Sequence, residues 1–315
     1  VATIAKATGA IVEQYPDSFR QRERLIENSN ALLKNQVAVI AASIQIDGYN
    51  EEWLNYQSLM QTLPADNQLK PGQQLIDPQE LDDDAQVAVV STMGAPLVMQ
   101  ERLQDARDVA RVVEIMGEYL ESSFDAVMAT EIGGSNAFQP LMAAAHLGLP
   151  IVDADAMGRA YPEAQMTSFA IGGLQPWPLA LVDPRGVEAV ITNVPTWKWM
   201  ERTSRALTIE TGSMAATCKA PRSGAEVKRW GVANSMSFAI QLGARVREAR
   251  AAHEDPVAAI CAVAEGQLIF TGKIIDVDRR TTGGFLRGTA KLDGLDDYSG
   301  HNVELDFQNE WLIAR

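Results

Sequence analysis

DAVMATEIGGSNAFQPLMAAAHLGLPIVDAD, residues 125–155, is the stretch that decides the fold class. Its opening seven residues, 125–131, are mostly apolar and read as a strand buried on both faces. Gly133-Gly134-Ser135-Asn136 makes a turn, and 137–147 reads as a helix stopped by Gly148 and Pro150. Ile151-Val152-Asp153 then returns as a strand. Together these form a βαβ unit of the usual length, roughly 30 residues.

Working upstream, the apolar run 87–90 leads into Ser91-Thr92-Met93-Gly94-Ala95-Pro96 and reads as another buried strand. Residues 104–120 place Ala106, Val109, Val112, Val113, Met116 and Leu120 on one side of a helix. Such alternation predicts a parallel sheet covered on both faces. The first 70 residues read as a helix at 16–34, a strand at 37–46 and a helix at 51–63. Downstream of 168 the text changes: Pro176, Pro178 and Asp183-Pro184-Arg185-Gly186 cut it into short pieces. A strand of a small antiparallel unit is expected at 187–192, and helices at 197–210, 233–252 and 255–264. The tail, 268–313, reads as strands broken by Thr281-Thr282-Gly283-Gly284, which a small barrel or sandwich would close.

A chain of 315 residues with 46% hydrophobic residues suits two domains, and the expected division is 1–168 and 169–315. Charge divides there too. Residues 1–168 hold 10 basic and 24 acidic side chains, whereas 169–315 hold 17 of each. A net charge of −14 repels phosphate backbones and anionic membranes, which excludes nucleic acid as an expected partner. No run reaches the roughly 18 apolar residues of a membrane span. Neither is a secretory signal read at the start. Two cysteines, Cys218 and Cys261, make no disulfide framework, so a cytoplasmic location is expected. His146, His253 and His301 show no zinc-type spacing.

The chemistry gathers where parallel strands end. Glu131 ends one strand, and Asp153 and Asp155 end the next. Gly133 and Gly134 let backbone approach a ligand, Ser135 or Asn136 caps the following helix, and Arg159 offers a fixed cation. Close carboxylates raise one another's pKa and can supply a proton donor or acceptor. Alternatively, Glu131, Asp153 and Asp155 hold a divalent cation, magnesium or manganese, or the aspartates merely cap helices. Asp153 follows Gly133 by 20 residues, as in a nicotinamide-binding βαβ, yet no GxGxxG is present. Cys218 reads as buried and inert, and His146 as a helix-end cation.

EIGGSNAFQPL (131–141), LPIVDADAMGRAYPEAQMTSF (149–169), RRTTGGF (279–285) and FQNEWLIAR (307–315) resemble the S-methyl thiohydantoin desulfurase-like family, and STMGAP (91–96) fits the same pattern. The similarity runs from about Leu75 to the end. It implies a three-layer α/β domain followed by a β-barrel-containing domain, and chemistry on a five-membered cyclic amide or its thio-analogue. Matching residues are Met93, Gly94, Glu131, Gly133, Gly134, Asn136, Asp153, Asp155, Gly158, Arg159, Thr281, Thr282, Gly283, Gly284 and Glu310. One departure stands out: the glycine-rich turn after the family's first strand has no counterpart in 1–70, whose only glycines are Gly9 and Gly48.

The leading expectation is an enzyme on a small hydantoin-like substrate. Glu131, Asp153 and Asp155 would serve in acid/base catalysis with Arg159, and Met93, Gly94, Gly133, Gly134, Asn136, Thr281 and Thr282 would line the substrate. The alternatives are a non-catalytic partner subunit of a hydantoinase/oxoprolinase and, third, a nicotinamide enzyme. A homo-oligomer is left open.

Overall fold

The computed structural model describes residues 74–315 except 96, 97, 99–101, 103, 104, 134 and 135. The readings at 16–34, 37–46 and 51–63 lie outside the described residues. Contacts divide the chain into two units, one holding 74–236 and 283–285 and the other 237–282 and 286–315 among the described residues.

In chain order the larger unit begins with β1 (Leu75–Ile76), β2 (Gln86–Gly94) and α1 (Ala106–Leu120), then β3 (Ala126–Ala129), α2 (Gln139–Leu147), β4 (Ile151–Val152) and β5 (Ala154–Asp155). It continues through α3 (Ser168–Ile171), β6 (Leu179–Val182), β7 (Glu188–Ile191), α4 (Trp197–Glu210), β8 (Met214–Ser223), α5 (Gly224–Trp230) and β9 (Val232–Ala233). Seven strands form one sheet in the order β1-β4-β3-β2-β8-β6-β7. The first four run parallel, as the alternation of strands and helices predicts. β8, β6 and β7 join antiparallel, so the sheet is mixed rather than wholly parallel. β7 is therefore the edge of the main sheet, not part of a separate small unit. β5 and β9 pair as a short ladder of their own.

Local chemistry explains the elements. β2 is buried at seven consecutive positions because it lies in the middle of the sheet. Asp105 and Asp108 form a reciprocal capping box that starts α1. Gly148, at φ 73°, ends α2 in the left-handed conformation that glycine adopts without strain. Thr196 caps α4 by accepting from the Trp199 N–H. Met200 of α4 packs with Leu179, Leu181 and Ala215 of the sheet. Another cluster joins Val87, Val89, Met128 and Val152 to Phe169 and Val227, with Trp197 and Trp230 against it.

α6 (Ser235–Ala251) begins in the larger unit and runs on into the smaller one, which adds α7 (Pro256–Val263) and β10 (Gly272–Thr282). β11 (Phe285–Gly294), β12 (Asn302–Gln308) and β13 (Glu310–Ala314) complete it. These strands form an open antiparallel sheet in sequence order, β10-β11-β12-β13. No closed barrel exists among the described residues, which corrects the barrel expectation. A barrel needs its end strands to pair, and β10 and β13 are not neighbours in this sheet.

Candidate functional site

Just beyond the C-terminal end of β3, Glu131 is half-buried. Both of its carboxylate oxygens are held. Asn136 Nδ2 donates to Oε1, and the Tyr161 N–H donates to Oε2 at 3.2 Å. Asn136 is itself fixed, because its Oδ1 accepts the Thr92 N–H at 2.7 Å. One amide thus ties β2 to the turn after β3 and aims the carboxylate. Gly133 is needed in that turn: a Cβ there would stand 2.8 Å from the Cβ of Ala160. Burial raises the pKa of Glu131, partly offset by the Asn136 hydrogen bond and by the charge of Lys219.

Asp155 is fully buried. Its carboxylate accepts from the Ile132 N–H at 2.6 Å and from the Gly158 N–H at 3.0 Å. It therefore ties the residue after Glu131 to the loop that follows β5. Burial lifts its pKa to about 6 against these donors. Asp153 takes a different role. Its Oδ1 accepts from the Met236 N–H at 3.0 Å, and its carbonyl accepts from the Asn234 N–H at 2.7 Å. That is capping at the start of α6. Among the described residues no three His, Cys, Asp or Glu side chains are placed to hold a metal ion, so Glu131, Asp153 and Asp155 do not form a cation triad.

Met93 is buried on β2 opposite Ala215, and Gly94 ends that strand opposite Met214. Arg159 is exposed, its guanidinium 4.7 Å from the centroid of the Tyr161 ring. Thr281 and Thr282 are exposed at the end of β10, in the smaller unit. Gly134 lies outside the described residues. Cys218 is buried, and that burial pushes its thiol up to about 12, which fits an inert cysteine.

Three charged residues join the site that sequence reasoning did not assign to it. Lys219, on β8, is 8% exposed, and Glu131 and Glu201 both act on its charge through space. Glu201 and Arg205, one turn apart on α4, form a buried ion pair. The other oxygen of Glu201 accepts from the Ala164 N–H at 3.0 Å, and Arg205 Nη2 donates to the Pro162 carbonyl at 3.2 Å. Arg205 Nη1 also donates to the Gly284 carbonyl at 3.1 Å, and its guanidinium lies over the Phe285 ring at 3.8 Å. An acidic and a basic residue four apart on a helix ordinarily read as a solvated pair. The Gly283-Gly284 motif, already marked by the resemblance, was the available hint.

Comparison with known proteins agrees with this architecture. Residues 56–193 match the S-Me-THD-like, N-terminal domain, and residues 195–315 match the S-Me-THD-like, C-terminal domain. No curated protein shows significant similarity to the chain. Among solved structures, the crystal structure of a protein from Chromobacterium violaceum superposes with a TM-score of 0.65 at 22% identity, covering 83% of this chain and 70% of that one. At that identity the likeness speaks for the fold.

Proposed function

Because the chain belongs to the S-Me-THD-like family, we propose that it is an enzyme acting on a hydantoin-like or thiohydantoin-like ring, with Glu131 as the acid/base group. One observation carries this reading. A half-buried carboxylate has a donor fixed on each oxygen, an upward-shifted pKa, and a buried lysine acting on it through space. An upward shift makes a carboxylate a stronger base and leaves more of it protonated to act as an acid, which favours proton transfer in both directions.

On an S-methylated thiohydantoin the balanced reaction is a hydrolysis. Water attacks the ring carbon that bears sulfur, a C–O bond forms and the C–S bond breaks. Glu131 takes the water proton and returns one to the departing sulfur, giving the hydantoin and methanethiol. Donors on the Glu131 oxygens fix the direction of that carboxylate before substrate arrives, so no reorganisation accompanies the proton transfer.

A thermal-shift titration with hydantoin and 2-thiohydantoin tests the assignment of substrate class. A ligand at about 100 times its Kd stabilises by about 2.7 kcal/mol, so Tm should rise by roughly 5–10 °C. Cooperative melting with no shift for any ring would move the reading to a non-catalytic partner of a hydantoinase/oxoprolinase.

A further inference from the structure

Lys219 occupies an expensive position. It stands on an interior strand of the main sheet, opposite Val89, and is 8% exposed. Its ammonium makes no hydrogen bond and has no carboxylate within 4.0 Å among the described residues. Glu131 and Glu201 nevertheless raise its proton affinity from a distance, and Arg205 lowers it. More than 4.0 Å therefore separates the cation from each of the two carboxylates that act on it. Arg205 cannot serve in its place, being committed to Glu201 and to two backbone carbonyls.

A second unsatisfied group stands on the same part of the sheet. One row beyond the Val89–Lys219 pair, Ser91 faces Thr217, and their hydroxyls meet at 2.9 Å. Thr130 continues that row on the far side of Ser91, since Val90 pairs with Ala129 and the Thr130 N–H donates to the Val90 carbonyl. The Thr130 hydroxyl oxygen is buried and has no hydrogen-bond partner among the described residues. Glu131 is the next residue in the chain. A buried hydroxyl without a partner and an ammonium without a contacting carboxylate, next to a half-buried carboxylate, are what a site looks like when its ligand supplies the missing contacts.

We propose that Lys219 and Thr130 form an anion subsite beside Glu131, built for a small planar monoanion: a cyclic imide or thioimide whose ring N–H has lost its proton. A ring N–H flanked by two carbonyl-type carbons is acidic, and its anion delocalises onto the neighbouring oxygen or sulfur. Such a ligand brings the negative charge Lys219 lacks and an acceptor for the Thr130 hydroxyl. The ring identity rests on the proposed function; the charge requirement does not.

The test is a thermal-shift comparison of wild type and Lys219→Met, which keeps the volume and removes the charge, against hydantoin, N3-methylhydantoin and acetate. Wild type should be stabilised by hydantoin, and by acetate more weakly, but not by N3-methylhydantoin, which cannot form the imide anion. Lys219→Met should lose both shifts while its ligand-free Tm equals or exceeds that of wild type, because no contact partner is stranded. Thr130→Val, a second folded probe, should reduce the hydantoin shift. An acetate shift that depends on Lys219, with no ring binding to wild type, supports the subsite and overturns the ring assignment. Undiminished hydantoin stabilisation in Lys219→Met overturns the subsite and leaves the ring assignment standing. No anion shift in wild type, or a ligand-free Tm in Lys219→Met lower by more than about 5 °C, also overturns it.

Discussion

Asp153 and Asp155 stand two residues apart and have separate tasks. Asp153 receives the Met236 N–H at the start of a helix, whereas Asp155 ties the residue after Glu131 to the loop that follows β5 through the Ile132 and Gly158 N–H groups. Sequence alone offered capping and catalysis for both, since the donor that reaches each carboxylate comes from backbone that the chain positions only after folding. The burial of Asp155 has a measurable consequence. Its pKa rises from 3.8 to about 6, so the folded state binds that proton more tightly than the unfolded chain. This contribution to stability is fully present below about pH 4 and is lost as pH rises through about 6, a loss of about 3 kcal/mol. Unfolding free energies of wild type and Asp155→Asn, measured at about pH 4 and about pH 7, should therefore differ in slope, with wild type losing more on going to the higher pH. Parallel slopes would show that Asp155 ionises at its ordinary value.

At the scale of elements, α4 is the part that holds the loop of the site in place. Glu201 and Arg205 grip the backbone at Ala164 and Pro162, immediately after Tyr161, whose N–H holds Glu131. Breaking a buried ion pair strands a charge, so Arg205→Met alone should cost about 3–5 kcal/mol in denaturant unfolding. Glu201→Met with Arg205→Met should cost clearly less than the sum of the single changes, as a double-mutant cycle would report. Additive costs would mean that the two residues act independently. The α4 helix was legible at 197–210, as were β2, β3 and β4 from their short continuous apolar runs and α2 from the Gly148 and Pro150 that stop it. β8 was not. MAATCKAPRS carries Lys219, Pro221 and Arg222, which speak against an interior strand, yet it lies between β2 and β6 and buries Lys219 and Arg222. The half of the site carried by β8 and α4 was hidden for this reason: its charges look solvated in sequence and are brought inside by pairing across more than a hundred residues.

For the whole molecule, the central sheet is shared between the two family halves. β8 belongs to the C-terminal match but pairs with β2 and β6 of the N-terminal one. A chain ending at 194 would leave both strands with open edges and should show no cooperative melting by circular dichroism; a sharp transition would mean that the first half folds alone. The resemblance in separated motifs identified the family, and the βαβ reading located Glu131, Gly133, Asn136 and Asp155. Antiparallel closure of the sheet and the open form of the last four strands were not legible, since both depend on which strands become neighbours. The central claim is that Glu131 performs chemistry on a thiohydantoin ring. Its most direct test is methanethiol release from an S-methylated thiohydantoin by wild type and by Glu131→Gln. Wild type should turn over, and Glu131→Gln should lose at least about 100-fold in kcat while its Tm stays within a few degrees. Equal turnover by the two proteins would contradict the account.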